Sequence, residues 1–331
     1  MIKSIQYLRG IAALMILLHH VYRTILMNKG FLPDWLGNTV AYNFAVGVDI
    51  FFVISGFVIY LAVIERPKTV KQFAIDRLSR IAPAYWFYTI IFAVVITLFP
   101  WTHPSSIFET WHFIKSMLFI PSLNPTNMKF FPTLVVGWTL NHEMMFYVLF
   151  SAALLFGTKK LHLFIVAFIS LFYVISNNFD FLSFYAIAGV FEFALGVVIA
   201  RLYAVNKDAF CVSKSVSALV LILSFYILLF IEGNGFITRV IPSALILYSV
   251  VCIDKYLPKI EFFEKLGDSS YSLYLSHKIF ICLGLVICRY YGIKSEMIAI
   301  PVIIFSILFS FITYKYVEIM PSRKIRKVIL T

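Results

Sequence analysis

Apolar runs long enough to cross a bilayer recur from one end of this 331-residue chain to the other. A helical crossing of the hydrocarbon core takes about 20 mostly apolar residues. A window of that length finds about ten stretches: about 5–26, 43–63, 81–99, 140–157, 161–176, 183–203, 216–232, 236–253, 271–290 and 297–317. Composition agrees, with 61% hydrophobic residues, 18% aromatic and only 13% charged. Soluble domains carry about 25% charged residues. The expected fold class is therefore all-α: a polytopic integral membrane protein of about ten transmembrane helices. It reads as a single membrane-embedded domain over 1–331, with no internal repeat, low-complexity tract or appended soluble domain.

The net charge of +12 would suit a nucleic-acid partner, but its distribution points elsewhere. With the N-terminus inside, twenty of the 28 Lys and Arg fall in inner connections and seven in outer ones, while Lys278 lies within a span. That bias follows the positive-inside rule. It predicts two cytoplasmic termini, as an even number of spans requires. The basic excess then serves topology and attraction to anionic membrane lipids, and no nucleic-acid partner is expected. The first apolar segment is interrupted by Arg9 and lacks a small-residue cleavage site, so it is expected to stay as the first span. Cys211, Cys252, Cys282 and Cys288 are scattered without CxxC spacing and read as small apolar residues.

Polar residues inside apolar spans are costly, and they usually face a cavity or a partner. In the first span Arg9 and His20 are eleven residues apart. That is close to three turns, so both point to one side, about 16 Å apart along the axis. His19 points about 100° away and suits a hydrogen-bonded core role. The second span, Gly47-Val48-Asp49-Ile50-Phe51-Phe52-Val53-Ile54-Ser55-Gly56-Phe57, places Asp49 near its outer end. Asp49 is either an interfacial acid favoured by the helix dipole or an orienting partner for a histidine or an acceptor hydroxyl. Arg77 and Arg80, at i and i+3, share a face at the cytoplasmic mouth of the third span. Topology alone explains such a pair; so does a phosphate clamp, which Arg9 would join.

The fourth span opens Trp138-Thr139-Leu140-Asn141-His142-Glu143 and continues to Phe146 and Tyr147. Glu143, Phe146 and Tyr147 share a face, and Trp138 flanks them. Tyr271, Tyr274 and His277 form a stripe at three-residue spacing in the ninth span, which suits an aromatic belt, although His277 and Lys278 lie deeper than a belt needs. Glu192 lies between Gly189 and Gly196, where another helix can approach closely; packing with a paired acid is the reading there. The outer connection of about 100–139 holds five prolines and an apolar piece at 113–120. Long loops of this kind commonly cover a site. No metal site is expected, since no HExxH-like ligand spacing occurs, and there is no GxSxG elbow or P-loop.

Taken in order, these motifs resemble the acyltransferase 3 family of integral-membrane acyltransferases. The likeness rests on Leu8-Arg9-Gly10 with His20 at the family spacing, and on the Gly47–Phe57 motif. It rests also on Arg77, Arg80, Ile81, Pro83 and Tyr85; on Trp138, Leu140, Glu143, Phe146 and Tyr147; and on Ser270 through His277. The opening stretch and overall length are most similar to members linked with exopolysaccharide production and surface-glycan O-acetylation. Two positions depart from the pattern. Asp76 stands where many members have the first arginine of a pair, and Thr139 replaces the usual serine.

The resemblance implies an acyl-CoA co-substrate, acetyl-CoA first of all, with no permanently bound cofactor. It also implies a hydroxyl of a cell-surface glycan, or of its lipid-linked precursor, as acceptor, and the bacterial plasma (inner) membrane as location. Arg9, Arg77 and Arg80 would hold the CoA phosphates. His20 would act as general base or transient acyl carrier, with Glu143 or Asp49 orienting it or the acceptor. Trp138, Tyr147, Tyr274 and His277 would line the pocket. The competing class is a proton-coupled secondary transporter, which would favour broken helices in two related halves; no such halves are visible.

Overall fold

The computed structural model describes every residue except Met1, Asn28, Ser105, Asn127 and Thr331. It is helical, with no strand among the described residues and one isolated bridge between Leu123 and Phe130. In chain order the α-helices are α1 (Lys3–Val21), α2 (Asp34–Asn38), α3 (Gly47–Glu65), α4 (Val70–Leu98) and α5 (Thr110–Met117). Next come α6 (Trp138–Leu154), α7 (Leu161–Asn178), α8 (Val190–Val205), α9 (Lys207–Phe210) and α10 (Lys214–Phe230). The last are α11 (Ile241–Ile253), α12 (Glu261–Asp268), α13 (Ser270–Tyr291), α14 (Ala299–Thr313) and α15 (Met320–Leu330). A π-helical turn, Tyr22–Leu26, carries α1 onward past His20.

Among the described residues six helical segments are long and apolar enough to cross a membrane: 34–65, 70–98, 161–178, 236–256, 270–291 and 295–329. Helices also stand at the other four expected spans without meeting that criterion. Three of them, α6, α8 and α10, run only 17, 16 and 17 residues. The fourth, α1 with its π-helical continuation, carries Arg9, His19, His20 and Arg23.

The chain forms two compact units. The first comprises Met1–Ala12, Asn43–Ala74 and Met145–Asp268. Its centre is the pairing of α3 with α8, made close by two glycines. A Cβ at Gly56 would meet the Phe193 carbonyl oxygen at 2.1 Å, and one at Gly196 would meet the Val53 carbonyl oxygen at 2.2 Å. Small residues at such positions let backbones touch where apolar side chains alone gain little over lipid. Phe193 stacks on Phe52 at 4.5 Å and on Phe146 at 4.6 Å beside this contact. The start of α1 is tied to the segment before α12. Tyr7 Oη donates to the Pro258 carbonyl and accepts from Ile260 N–H, and Ser4 N–H donates to Asp254 Oδ1. Cys211 and Cys252 are paired, with Cα atoms 5.1 Å apart, which corrects the reading of all four cysteines as plain apolar residues. Forty-one residues separate these two, so nothing local in the sequence announces the pair.

The second unit comprises Ala13–Tyr42, Ile75–Met144 and Ser269–Thr331. Here α13 packs on α14 and on the 3₁₀ turns Pro100–Thr102 and Val135–Gly137. Its first turn is anchored by Glu318, whose Oε1 accepts from both Ser272 N–H and Ser272 Oγ–H at 2.9 and 2.5 Å. The connection of about 100–139 folds around α5, whose N-cap Glu109 accepts from the N–H groups of Trp111 and His112. Those two bonds hold the Glu109 carboxyl below its usual range. The apolar piece at 113–120 is thus a short capped helix and the turn after it, fastened by Trp86 Nε1 donating to the Met117 carbonyl.

Candidate active site

In the second unit α1 delivers His20 and α13 delivers His277. Their rings stack with centroids 5.0 Å apart, and His19 meets His20 edge-on at 4.7 Å. Sequence spacing placed Arg9 and His20 on one face of one helix, but it could not place His20 beside a histidine 257 positions later. His20 is half-buried, and among the described residues nothing hydrogen-bonds to its ring. His277 is fully buried. Its Nδ1 lies 3.2 Å from the Leu273 carbonyl, one turn back on α13. A carbonyl can only accept, so Nδ1 carries the proton and Nε2 presents a lone pair. That Nε2 has no partner among the described residues. His19 is buried near Val40 and Ala41, as suits a core residue, but its Nδ1 has no hydrogen-bond partner among the described residues.

Tyr274, one turn before His277, is engaged structurally. Its hydroxyl donates to the Val136 carbonyl at 2.7 Å and lies 3.0 Å from Thr139 Oγ1. The threonine at the family's serine position therefore keeps a hydroxyl that is in use. Glu143, one turn further along α6, is half-buried and acts on Tyr274 electrostatically. Trp138 packs edge-on against His142 at 5.4 Å, and His142 Nδ1 donates to the Trp138 carbonyl at 3.1 Å.

Arg77 and Arg80 lie on α4, the former half-buried and the latter exposed. Between them Asp76 and Ser79 bind Arg326 of α15. Its Nε lies 3.3 Å from Asp76 Oδ1 and 3.2 Å from Ser79 Oγ. The acidic departure from the family pattern thus brings a guanidinium from the C-terminal helix to that position. Two features explain why sequence reading missed it: α15 is remote in the chain, and Arg326 is one of four basic residues there.

Arg9, Asp49 and Tyr147 belong to the first unit. Arg9 is half-buried on α1, and Tyr147 is buried with its ring edge-on to Phe73 at 6.1 Å. Asp49 adjoins Glu192 of α8, whose two carboxyl oxygens have no hydrogen-bond partner among the described residues, and Arg239 acts electrostatically on both. The paired acid expected for Glu192 is therefore Asp49. Among the described residues no group of three or more His, Cys, Asp or Glu is arranged to hold a metal ion.

Comparison with known proteins bears on what this arrangement serves. The acyltransferase-domain profile of the acyltransferase 3 family matches residues 2–315. The chain belongs to the acyltransferase 3 family. With its long apolar helices, this acyltransferase 3 member is a multi-pass membrane acyltransferase. It is similar to the exopolysaccharide production protein ExoZ of Rhizobium meliloti (strain 1021), at 32% identity over 249 residues covering 70% of this chain and 75% of ExoZ. It is also similar to a Staphylococcus aureus (strain COL) protein provisionally named an O-acetyltransferase. That match is 30% identical over 375 aligned positions, covering 98% of this chain and 57% of the relative, so the chain spans little more than half of that protein. No solved structure matches.

Proposed function

We propose that this protein transfers an acyl group, acetyl in the first instance, from cytoplasmic acyl-CoA to a hydroxyl of a cell-surface glycan or its lipid-linked precursor. The observation that carries the reading is the half-buried His20 imidazole, free of protein hydrogen bonds and stacked on His277. A general base needs an imidazole nitrogen open to the substrate, and a second ring fixed by a backbone carbonyl can hold the first in place. Supporting the donor side, Arg77 and Arg80 with Arg326 make α4 rich in guanidinium groups, which suit phosphate oxygens. Glu143 is the acid assigned to orient the base or the acceptor, with Trp138, Tyr274 and His277 lining the pocket. The setting is a ten-span single domain of the bacterial inner membrane with both termini cytoplasmic. The similarity to ExoZ, an exopolysaccharide production protein, supports the glycan acceptor.

The test compares surface-glycan O-acyl content by NMR between cells making the wild-type protein and cells making His20→Ala. A general base contributes roughly 10²–10⁴-fold, so the variant should be inserted normally yet leave almost no ester signal. Wild-type O-acyl content in the variant would refute the assignment.

A further inference from the structure

One charged group of the second unit is left unused by this account. Lys278 follows His277 on α13, well inside the helix, and is only 8% exposed. It is the cation whose field acts on His19, His20, His103 and His277 alike. Its own electrostatic neighbours are the Cys282 thiol, one turn on, and Arg23 of the π-helical turn after His20. Cys282 is buried close to Thr102, in the 3₁₀ turn packed on α13. Among the described residues no carboxylate lies within ion-pair distance of Lys278, and no hydrogen-bond acceptor meets its Nζ.

Burying an ammonium costs several kcal/mol unless an anion or a set of acceptors repays it, and lysines at membrane depth normally have such a partner. The surroundings of Lys278 instead supply imidazoles, a thiol and another cation. A negative charge that arrives with the substrate or arises during the reaction would answer it.

We infer that Lys278 stabilises the negative charge that develops on the acyl carbonyl oxygen during transfer; the inference rests on the acyl-transfer reading with His20 as base. The acceptor hydroxyl oxygen bonds to the thioester carbonyl carbon, the carbonyl π pair moves onto oxygen, and the hydroxyl proton passes to His20. The oxyanion formed faces the Lys278 ammonium. Collapse restores the carbonyl and breaks the C–S bond. The bonding pair stays on sulfur, which takes the proton from His20 and departs as the CoA thiol. Base and cation are thus supplied by His20 and by the neighbour of the ring stacked on it. A preorganised cation in a water-poor site stabilises charge at the transition state more than in the ground state.

The experiment uses membranes from cells making the full chain, supplied with [1-¹⁴C]acetyl-CoA. It follows label entering alkali-labile esters of the endogenous saccharide fraction, normalised to inserted protein. Lys278→Met should lower kcat by roughly 10²–10³-fold, the loss typical of removing one oxyanion-stabilising group, with KM for acetyl-CoA within about threefold of wild type. Lys278→Arg, which keeps the charge, should recover at least about tenfold of that loss. Lys278→Gln, which keeps a polar chain of similar reach, should behave like Lys278→Met and replaces it should that variant fail to insert. A wild-type kcat in the uncharged variants, a loss confined to KM, or an Arg variant no better than Met would each overturn the role. Wild-type membranes that incorporate no label would overturn the acyl-transfer reading itself, and this inference with it. If wild type is active and His20→Ala inactive while Lys278→Met keeps full activity, only the lysine's role falls.

Discussion

The close contact of α3 with α8 makes the sharpest prediction about stability. An alanine methyl at Gly56 would sit 2.1 Å from the Phe193 carbonyl oxygen, and one at Gly196 would sit 2.2 Å from the Val53 carbonyl oxygen. Both obstacles are backbone atoms of the facing helix, so no rotamer change relieves them. A comfortable carbon–oxygen contact is about 3.3 Å or more, so α3 and α8 must part by roughly 1 Å. A gap of that size forfeits a quarter to a half of the dispersion energy of each contact it opens. The expected cost of Gly56→Ala is about 2–3 kcal/mol, at the upper end for overpacking. In detergent this should lower the apparent melting temperature by roughly 5–10 °C. Gly196→Ala should cost about the same. Because one separation relieves both clashes, the double variant should cost clearly less than the two single losses together. Gly235→Ala, where a methyl meets nothing within 4 Å, serves as control and should change little. Single variants within about 1 °C of wild type, or strictly additive losses, would refute the reasoning.

Three further perturbations probe other parts of the structure. Asp76→Asn should loosen α15 from α4 by about 0.5–1 kcal/mol, since Arg326 is 39% exposed and its ion pair is screened; amide exchange across 322–328 should quicken up to about fivefold while global unfolding barely moves. Glu109 has its carboxyl depressed in the folded protein by the Trp111 and His112 N–H groups, so its contribution is present above the unfolded carboxylate range and lost as pH falls through the folded value. Amide exchange in α5, corrected for intrinsic rate, should therefore rise selectively toward acid, and Glu109→Gln should flatten that dependence. Cys211, in the connection before α10, and Cys252, in the last turn of α11, are paired. In detergent a maleimide should label neither until a reductant is added, and equal labelling of both without reductant would overturn the pairing.

How far the sequence could be read depended on whether a contact was local. Helix α1 with Arg9 and His20 on one side, the acid of α3 near its start and the close-packing face around Glu192 all follow from spacing along a single helix. Partners on other helices do not. Glu192 announced that it needed a paired acid, but its identity as Asp49 required α3 and α8 to be in register. Tyr274 shows the same limit. Its three-residue stripe suggested a belt or a pocket, and only the folded chain shows that its hydroxyl meets Val136 and Thr139. Counting spans by hydropathy found helices everywhere it looked. At α6, α8 and α10, however, it counted flanking apolar residues that the helices themselves do not include.

The polar groups sunk among these apolar helices divide by chemistry as well as by position in the chain. The first unit holds acids: Asp49 of α3 and Glu192 of α8 adjoin, Arg239 lies within electrostatic reach of both, and neither Glu192 oxygen has a hydrogen-bond partner among the described residues. The arginine of the same unit answers part of their charge. The second unit holds bases: among the described residues His20 has no hydrogen bond, His277 has one nitrogen unanswered and Lys278 has no counter-ion. A membrane protein keeps unanswered polar groups at a steep cost, and such groups mark where function lies. By that argument the acids have a counter-charge within their own unit, in Arg239. The basic set has none among the described residues, which is why the proposed reaction is assigned to it: the substrate of that reaction gives up a proton and gains a negative charge in the same step.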